Sequence, residues 1–119
     1  MKNQGFWRRL GYAANGIRTG LRSERSLRTQ AVMAVGALLL LIGVRPAPVW
    51  WALVGIMIAL VLAAELINTA LEALVDRLHP GRHPQIRVVK DCAAGAVLVL
   101  SVAALWVAGW MLWATLGGE

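Results

Sequence analysis

From Val49 to Ala64 the chain carries no charge, and the helix opening there keeps its periodicity to Leu78, where His79-Pro80-Gly81 stops it. At 1.5 Å per residue this helix is about 45 Å long. The hydrocarbon core of a bilayer is only about 30 Å thick. A helix so long and so apolar therefore crosses a membrane, and its last third emerges into water. Two further apolar runs flank it. One spans about 29–44 and is closed by Arg45-Pro46-Ala47-Pro48, a turn that a helix does not cross comfortably. The other begins near Ile86, carries Arg87, Lys90 and Asp91 in its first turns, and is uncharged from Cys92 to Leu116. The expected fold is an all-α membrane protein with a single domain over 1–119 and transmembrane helices at 29–44, 49–78 and 86–116.

The segment 6–27 differs from these runs. Phe6, Leu10, Ala14, Ile17 and Leu21 recur at helical spacing, while Arg18, Arg22 and Arg25 share the other side. Such an amphipathic surface helix lies in the headgroup layer with its arginines toward anionic lipid. A cleaved signal peptide fits poorly, because the basic region is too long and no small-residue cleavage site follows the apolar run. Trp50 and Trp51 open the second span, and Trp106, Trp110 and Trp113 close the third, as an interfacial aromatic belt would.

The net charge of +6 on 119 residues invites a nucleic-acid reading, but the placement of the charges argues against it. Of twelve Lys and Arg, seven (Lys2, Arg8, Arg9, Arg18, Arg22, Arg25, Arg28) precede the first apolar run. Four more (Arg77, Arg82, Arg87, Lys90) surround the connection between the second and third. The other connection has Arg45 alone, and the tail carries just Glu119. This is the positive-inside pattern for a multi-pass protein with its N-terminus in the cytoplasm and its C-terminus outside. No nucleic-acid partner is expected. Cys92 is single, so there is neither an intrachain disulfide nor a cysteine metal site, and it reads as a packing residue.

Chemistry is concentrated in Glu65–Asp76, ELINTALEALVD. At about 100° per residue, Glu65, Asn68, Thr69, Glu72 and Asp76 fall within about 100° of arc. Acids in a membrane-grade helix are costly and mark chemistry, ion binding or a proton path. If about twenty residues from Val49 span the core, Glu65 lies just inside the cytoplasmic boundary, and Glu72 and Asp76 project beyond it. Desolvation makes a carboxylate a better base, so Glu65 suits removal of a proton from a hydroxyl. Glu72 and Asp76 suit oxygen ligation of a divalent cation, and Lys90 suits neutralisation of phosphate oxygens. These are the parts of metal-assisted phosphoryl transfer. A structural alternative pairs Glu72 and Asp76 with Arg77, Arg87 or Lys90 in a helix-end ion-pair network. A transporter or proton-coupled channel is a further alternative, but it would place its acid near the bilayer midplane. There is no Gly-x-x-x-x-Gly-Lys-[Ser/Thr] loop, and Pro80-Gly81 breaks the helix that would align His79 with His83 as metal ligands. The small residues near Gly95 suit close helix packing.

The segments AELINTALEALVDRLHP and HPQIRVVKDCAAGAVLV resemble the prokaryotic diacylglycerol kinase family of small integral membrane lipid kinases. Glu65, Asn68, Thr69, Glu72 and Asp76 match Glu-x-x-Asn-[Ser/Thr]-x-x-Glu-x-x-x-Asp, and Lys90 with Asp91 matches the Lys-Asp start of the third helix. Upstream, Gly11-Tyr12, Gly16-Ile17-Arg18 and Glu24 with Arg28 match further elements, so the resemblance covers essentially the whole chain.

The resemblance implies an ATP-dependent kinase of a membrane alcohol in the bacterial inner membrane, working as a homotrimer with shared sites. The acceptor would be diacylglycerol, with undecaprenol as the alternative. By position, Glu65 would be the catalytic base and Asn68 its polar neighbour. Glu24 and Glu72 would bind the Mg2+ that accompanies ATP. Tyr12, Glu24, Glu72, Asp76, Gly81, Arg82, His83, Lys90 and Asp91 would contact the nucleotide, together with one arginine of the adjacent pair, Arg8 or Arg9. Glu65, Arg28, Trp51 and Ala94 would contact the lipid. From the residues alone, Glu24 is simply the sole acid among arginines, and a salt bridge to Arg28 at i+4 would account for it. Two positions depart from the family pattern: Gln30 stands where many members carry a second acid, and Ala94 where a small hydroxyl residue is common. His83-Pro84 and Ala93 to Gly95 recur in relatives that phosphorylate undecaprenol.

Overall fold

The computed structural model describes residues 5–117, so Lys2 and Glu119 of the charge pattern lie outside the described residues. It is all-helical. In chain order come α1 (Phe6–Ser23), α2 (Arg25–Val44), α3 (Pro48–Leu78) and α4 (Pro84–Leu112), and a π-helical turn, Trp113–Gly117, continues α4. The last three are long and apolar enough to cross a membrane. α3 and α4 pack as an antiparallel pair, α2 leans on α3, and the end of α1 reaches α2 and α3.

The break between the first two helices is a single residue. Glu24 is extended (φ −114°, ψ 116°), its N–H bonds to Gly20 O, and its carbonyl accepts from Arg28 N. The leading helix therefore ends at Ser23 and not at 27, and the next helix starts at Arg25 and not near Thr29. Arg28 accounts for this placement. Its Nη1 donates to the carbonyls of Leu21 (3.0 Å) and Arg22 (2.8 Å). These are last-turn carbonyls that α1 leaves without helical partners, at the end where the helix dipole favours a cation. Gly20 closes the inside of the elbow. A Cβ there would lie 2.8 Å from Leu27 Cδ2 and 3.3 Å from Leu66 Cδ2, so glycine lets α1 approach without displacing these side chains.

The other connections follow from their prolines. Arg45 takes the left-handed conformation (φ 51°), and its N–H closes on Leu41 O at 2.8 Å. Pro48 then opens α3 at a position where no amide donor is needed. α4 starts at Pro84, two residues before Ile86, because His83 Nδ1 accepts from Gln85 N (3.1 Å) as a side-chain cap.

The densest packing, around Leu41, Val54 and Met111, lies at the tryptophan end, where Trp50 and Val107 join it. Elsewhere apolar side chains face outward: Val32 is 71% exposed, Val99 68% and Trp106 68%. A hydrocarbon solvent or further copies of the chain would cover such a surface. Two packing expectations fail within the protomer. Cys92 is exposed, and a Cβ at Gly95 would meet nothing within 4 Å, so neither packs closely against another helix of the same chain.

Candidate active site

The acid stripe of α3 runs from the interior to the surface. Glu65 is 4% exposed and is the one buried charged side chain among the described residues. Asn68, Thr69 and Glu72 are half-buried, and Asp76 is exposed. Where the stripe emerges, Lys90 Nζ donates to Asp76 Oδ1 at 2.7 Å. That contact marks the register of the antiparallel α3 and α4. Eleven residues back from Asp76 is Glu65, and eleven on from Lys90 is Ser101, so Ser101 comes level with Glu65. From α2, Gln30 Nε2 donates to Ser101 Oγ at 3.3 Å, and the same carboxamide lies beside the Glu65 carboxylate. Three helices thus converge on one carboxylate.

Two acceptors stay bare there. Glu65 Oε2 and Asn68 Oδ1 are both buried and have no hydrogen-bond partner. Leaving a buried acceptor unsatisfied costs about 1–3 kcal/mol, and such atoms call for an explanation. Their positions, three residues apart on one helix face, make a site for an incoming donor such as a hydroxyl. Thr69 does not add to it, since its Oγ1 is turned back onto Glu65 O at 2.9 Å.

Glu24 and Glu72 are both half-buried and close enough to Glu65 to act on it electrostatically. The expected Glu24–Arg28 salt bridge is not formed, because Arg28 is held by the α1 carbonyls, and Glu24 has no ion-pair partner among the described residues. One or two free carboxylates completed by substrate phosphates are a usual Mg2+ environment, so Glu24 and Glu72 fit a metal carried in with a nucleotide. Among the described residues of one chain, no group of three or more His, Cys, Asp or Glu side chains could hold an ion alone.

The remaining candidates are scattered in a single chain. Asp91 is held by Arg87 Nε at 3.1 Å, and Lys90 by Asp76, in line with the ion-pair alternative for Asp76. Those pairs are solvent-exposed, so each is worth little and opens readily. Gly81 and Arg82 are exposed in the loop before α4, where the His79 and His83 rings lie 5.4 Å apart and His83 caps the helix. Arg8 and Tyr12 sit one turn apart on α1, and no hydrogen bond joins Tyr12 to α3 or α4. Ala94 is exposed and level with Glu72. Trp51 stands fourteen residues from Glu65, about 21 Å along α3, so it can meet the far end of a lipid but not its headgroup.

Between the site and the tryptophans a cavity of about 240 Å³ opens among α2, α3 and α4, lined by Met33, Ala37, Met57 and Val61, with Gln30 and Ser101 as its polar residues. Sequence reasoning did not single out Ser101. The signal was there: it is the one hydroxyl between Cys92 and Trp113.

Residues 11–112 match the model of a family described as prokaryotic diacylglycerol kinase. The chain is 33% identical over 97 residues to an undecaprenol kinase of Bacillus subtilis, a match covering 82% of this chain and 79% of the relative. It is 32% identical over 102 residues to a diacylglycerol kinase of Synechocystis, covering 85% of this chain and 58% of the relative. A diacylglycerol kinase of Escherichia coli is 27% identical over 107 residues, covering 90% and 88%.

Proposed function

Since the chain belongs to the prokaryotic diacylglycerol kinase family, we propose that it is a lipid kinase transferring the γ-phosphoryl group of ATP to the hydroxyl of a membrane lipid, with diacylglycerol as the acceptor. The observation that carries this reading is the bare, buried Oε2 of Glu65 at the inner end of the stripe. In the reaction, Glu65 Oε2 takes the proton of the lipid hydroxyl while that oxygen attacks the γ-phosphorus. The bond from the γ-phosphorus to the β,γ-bridging oxygen breaks, and ADP leaves. Asn68, one turn on, orients the acceptor. The product is phosphatidic acid.

Glu24 and Glu72 would hold Mg2+ on the phosphates, where it neutralises negative charge. Lys90 would leave Asp76 for a phosphate oxygen, with Arg8, Tyr12, Asp76, Asp91 and the loop Gly81–His83 around the rest of the nucleotide. A homotrimer with shared sites, which the family resemblance implies, would bring the nucleotide contacts of separate chains together. The basic residues of α1 and of the α3–α4 loop put both, and the nucleotide, on the cytoplasmic side of the bacterial inner membrane, with α1 in the headgroup layer. The lipid chains would occupy the cavity leading from Gln30 toward the tryptophans.

Undecaprenol is the second reading, favoured by the Bacillus subtilis relative and by His83-Pro84. The deciding experiment is a side-by-side assay of the purified protein in bilayers with γ-labelled ATP and either alcohol. Preferred transfer to diacylglycerol supports the first reading and preferred transfer to undecaprenol the second. Transfer to neither removes both.

A further inference from the structure

Two side-chain hydrogen bonds join spanning helices to one another among the described residues. Lys90–Asp76 lies at the exposed end, and Gln30–Ser101 lies within the apolar region at the level of Glu65. The second has no role yet. A primary carboxamide carries two N–H groups. Gln30 gives one to Ser101 Oγ on α4 and has the other to offer the Glu65 carboxylate beside it on α3. A glutamate's terminal torsion is broad and two-fold, so an unheld carboxylate presents its oxygens interchangeably. A donor from α2 on one oxygen would leave the other for an incoming hydroxyl, and Oε2 is the buried oxygen without a partner, as is Asn68 Oδ1 one turn on. The clamp is also uncharged, so it adds no third negative group beside Glu24 and Glu72, the acids that already act on Glu65.

Resting on the kinase reading above, we infer that Gln30 is a positioning residue: anchored by Ser101, its carboxamide holds the Glu65 carboxylate so that Oε2 meets the acceptor hydroxyl. Ser101 acts only through Gln30. Displacing a reacting group by about 1 Å can cost about 100-fold in rate. The effect belongs in kcat with the lipid acceptor, because neither residue approaches the nucleotide side.

The test uses the full chain in bilayers, with the variants Gln30→Leu, Ser101→Ala, Ser101→Thr and the double variant Gln30→Leu/Ser101→Ala. Gln30→Leu should lower kcat by about 10- to 100-fold and leave the KM for ATP within about twofold. Ser101→Ala should lower kcat by a few-fold, Ser101→Thr should restore it, and the double variant should be no slower than Gln30→Leu alone. In a Glu65→Gln background, Gln30→Leu should have no further effect. Should Gln30→Leu fail to fold, the contrast between Ser101→Ala and Ser101→Thr decides alone. Undiminished kcat in a folded Gln30→Leu overturns the inference, as do losses that multiply in the double variant or equal losses in Ser101→Ala and Ser101→Thr. A wild-type chain that phosphorylates lipid beside an indifferent Gln30→Leu leaves the kinase reading standing. A wild-type chain that transfers nothing overturns both.

Discussion

Lys90 Nζ lies 2.7 Å from Asp76 Oδ1 across two antiparallel helices, and the same alignment carries Ser101 to the level of Glu65. The wet end and the buried end of the site are therefore set by one register. On the proposed reading, nucleotide binding at the wet end would break the ion pair. Because both partners are substantially exposed, the break costs at most about 1 kcal/mol.

Glu65→Gln should lower turnover by about 100- to 10,000-fold, the usual contribution of a general base. The variant keeps the shape of the side chain and should retain wild-type helix content and nucleotide binding, checked by circular dichroism and by titration with ATP. Turnover equal to wild type would rule out Glu65 as the base.

Lys90→Met should raise the KM for ATP by about tenfold or more, the equivalent of about 1.4 kcal/mol of lost phosphate contact. Its thermal stability should stay within about 1 kcal/mol of wild type, since only an exposed pair is lost. Initial rates over a range of ATP concentrations, beside a thermal melt, separate the two effects. A large drop in stability with an unchanged KM would make Lys90 a structural residue.

Glu24→Gln and Glu72→Gln should each raise the Mg2+ concentration needed for half-maximal velocity. Chelation of the metal should silence the wild-type enzyme, and added Mg2+ should restore it. The measurement is velocity against free Mg2+ at fixed ATP. A Glu24→Gln curve superimposed on wild type would return Glu24 to the role of an elbow residue alone.

Gly20→Val tests the elbow. The new Cβ would lie 2.8 Å from Leu27 Cδ2 and 3.3 Å from Leu66 Cδ2, and overpacking of this kind costs about 1–3 kcal/mol. Because Leu66 adjoins Glu65, activity should fall along with the melting temperature. Adding Leu27→Ala should recover part of both, and a double variant as impaired as the single one would place the fault elsewhere.

Much of this was legible in the chain itself. Runs without charge, ended by Arg45-Pro46-Ala47-Pro48 and His79-Pro80-Gly81, announce three helices because no helix passes such prolines easily and no soluble core is needed to explain the hydrocarbon. The face shared by Glu65, Asn68, Glu72 and Asp76 follows from helical pitch. The elbow at Glu24 was not legible. It depends on Arg28 reaching back to the carbonyls of Leu21 and Arg22 and on Gly20 meeting Leu66 from another helix. The same contacts turn an apparent Glu24–Arg28 pair into a free carboxylate and a helix cap.

By itself, then, the sequence determined which segments are helical, which face of α3 carries the acids, and the family to which the chain belongs. Those properties follow from local sterics, pitch and side-chain type. Only the tertiary structure decided which acid is buried, which carboxylates lack partners, and that Gln30 and Ser101 meet beside Glu65. Residues 71 apart in the chain come within 3.3 Å only through the packing of α2, α3 and α4, and no local pattern encodes that distance.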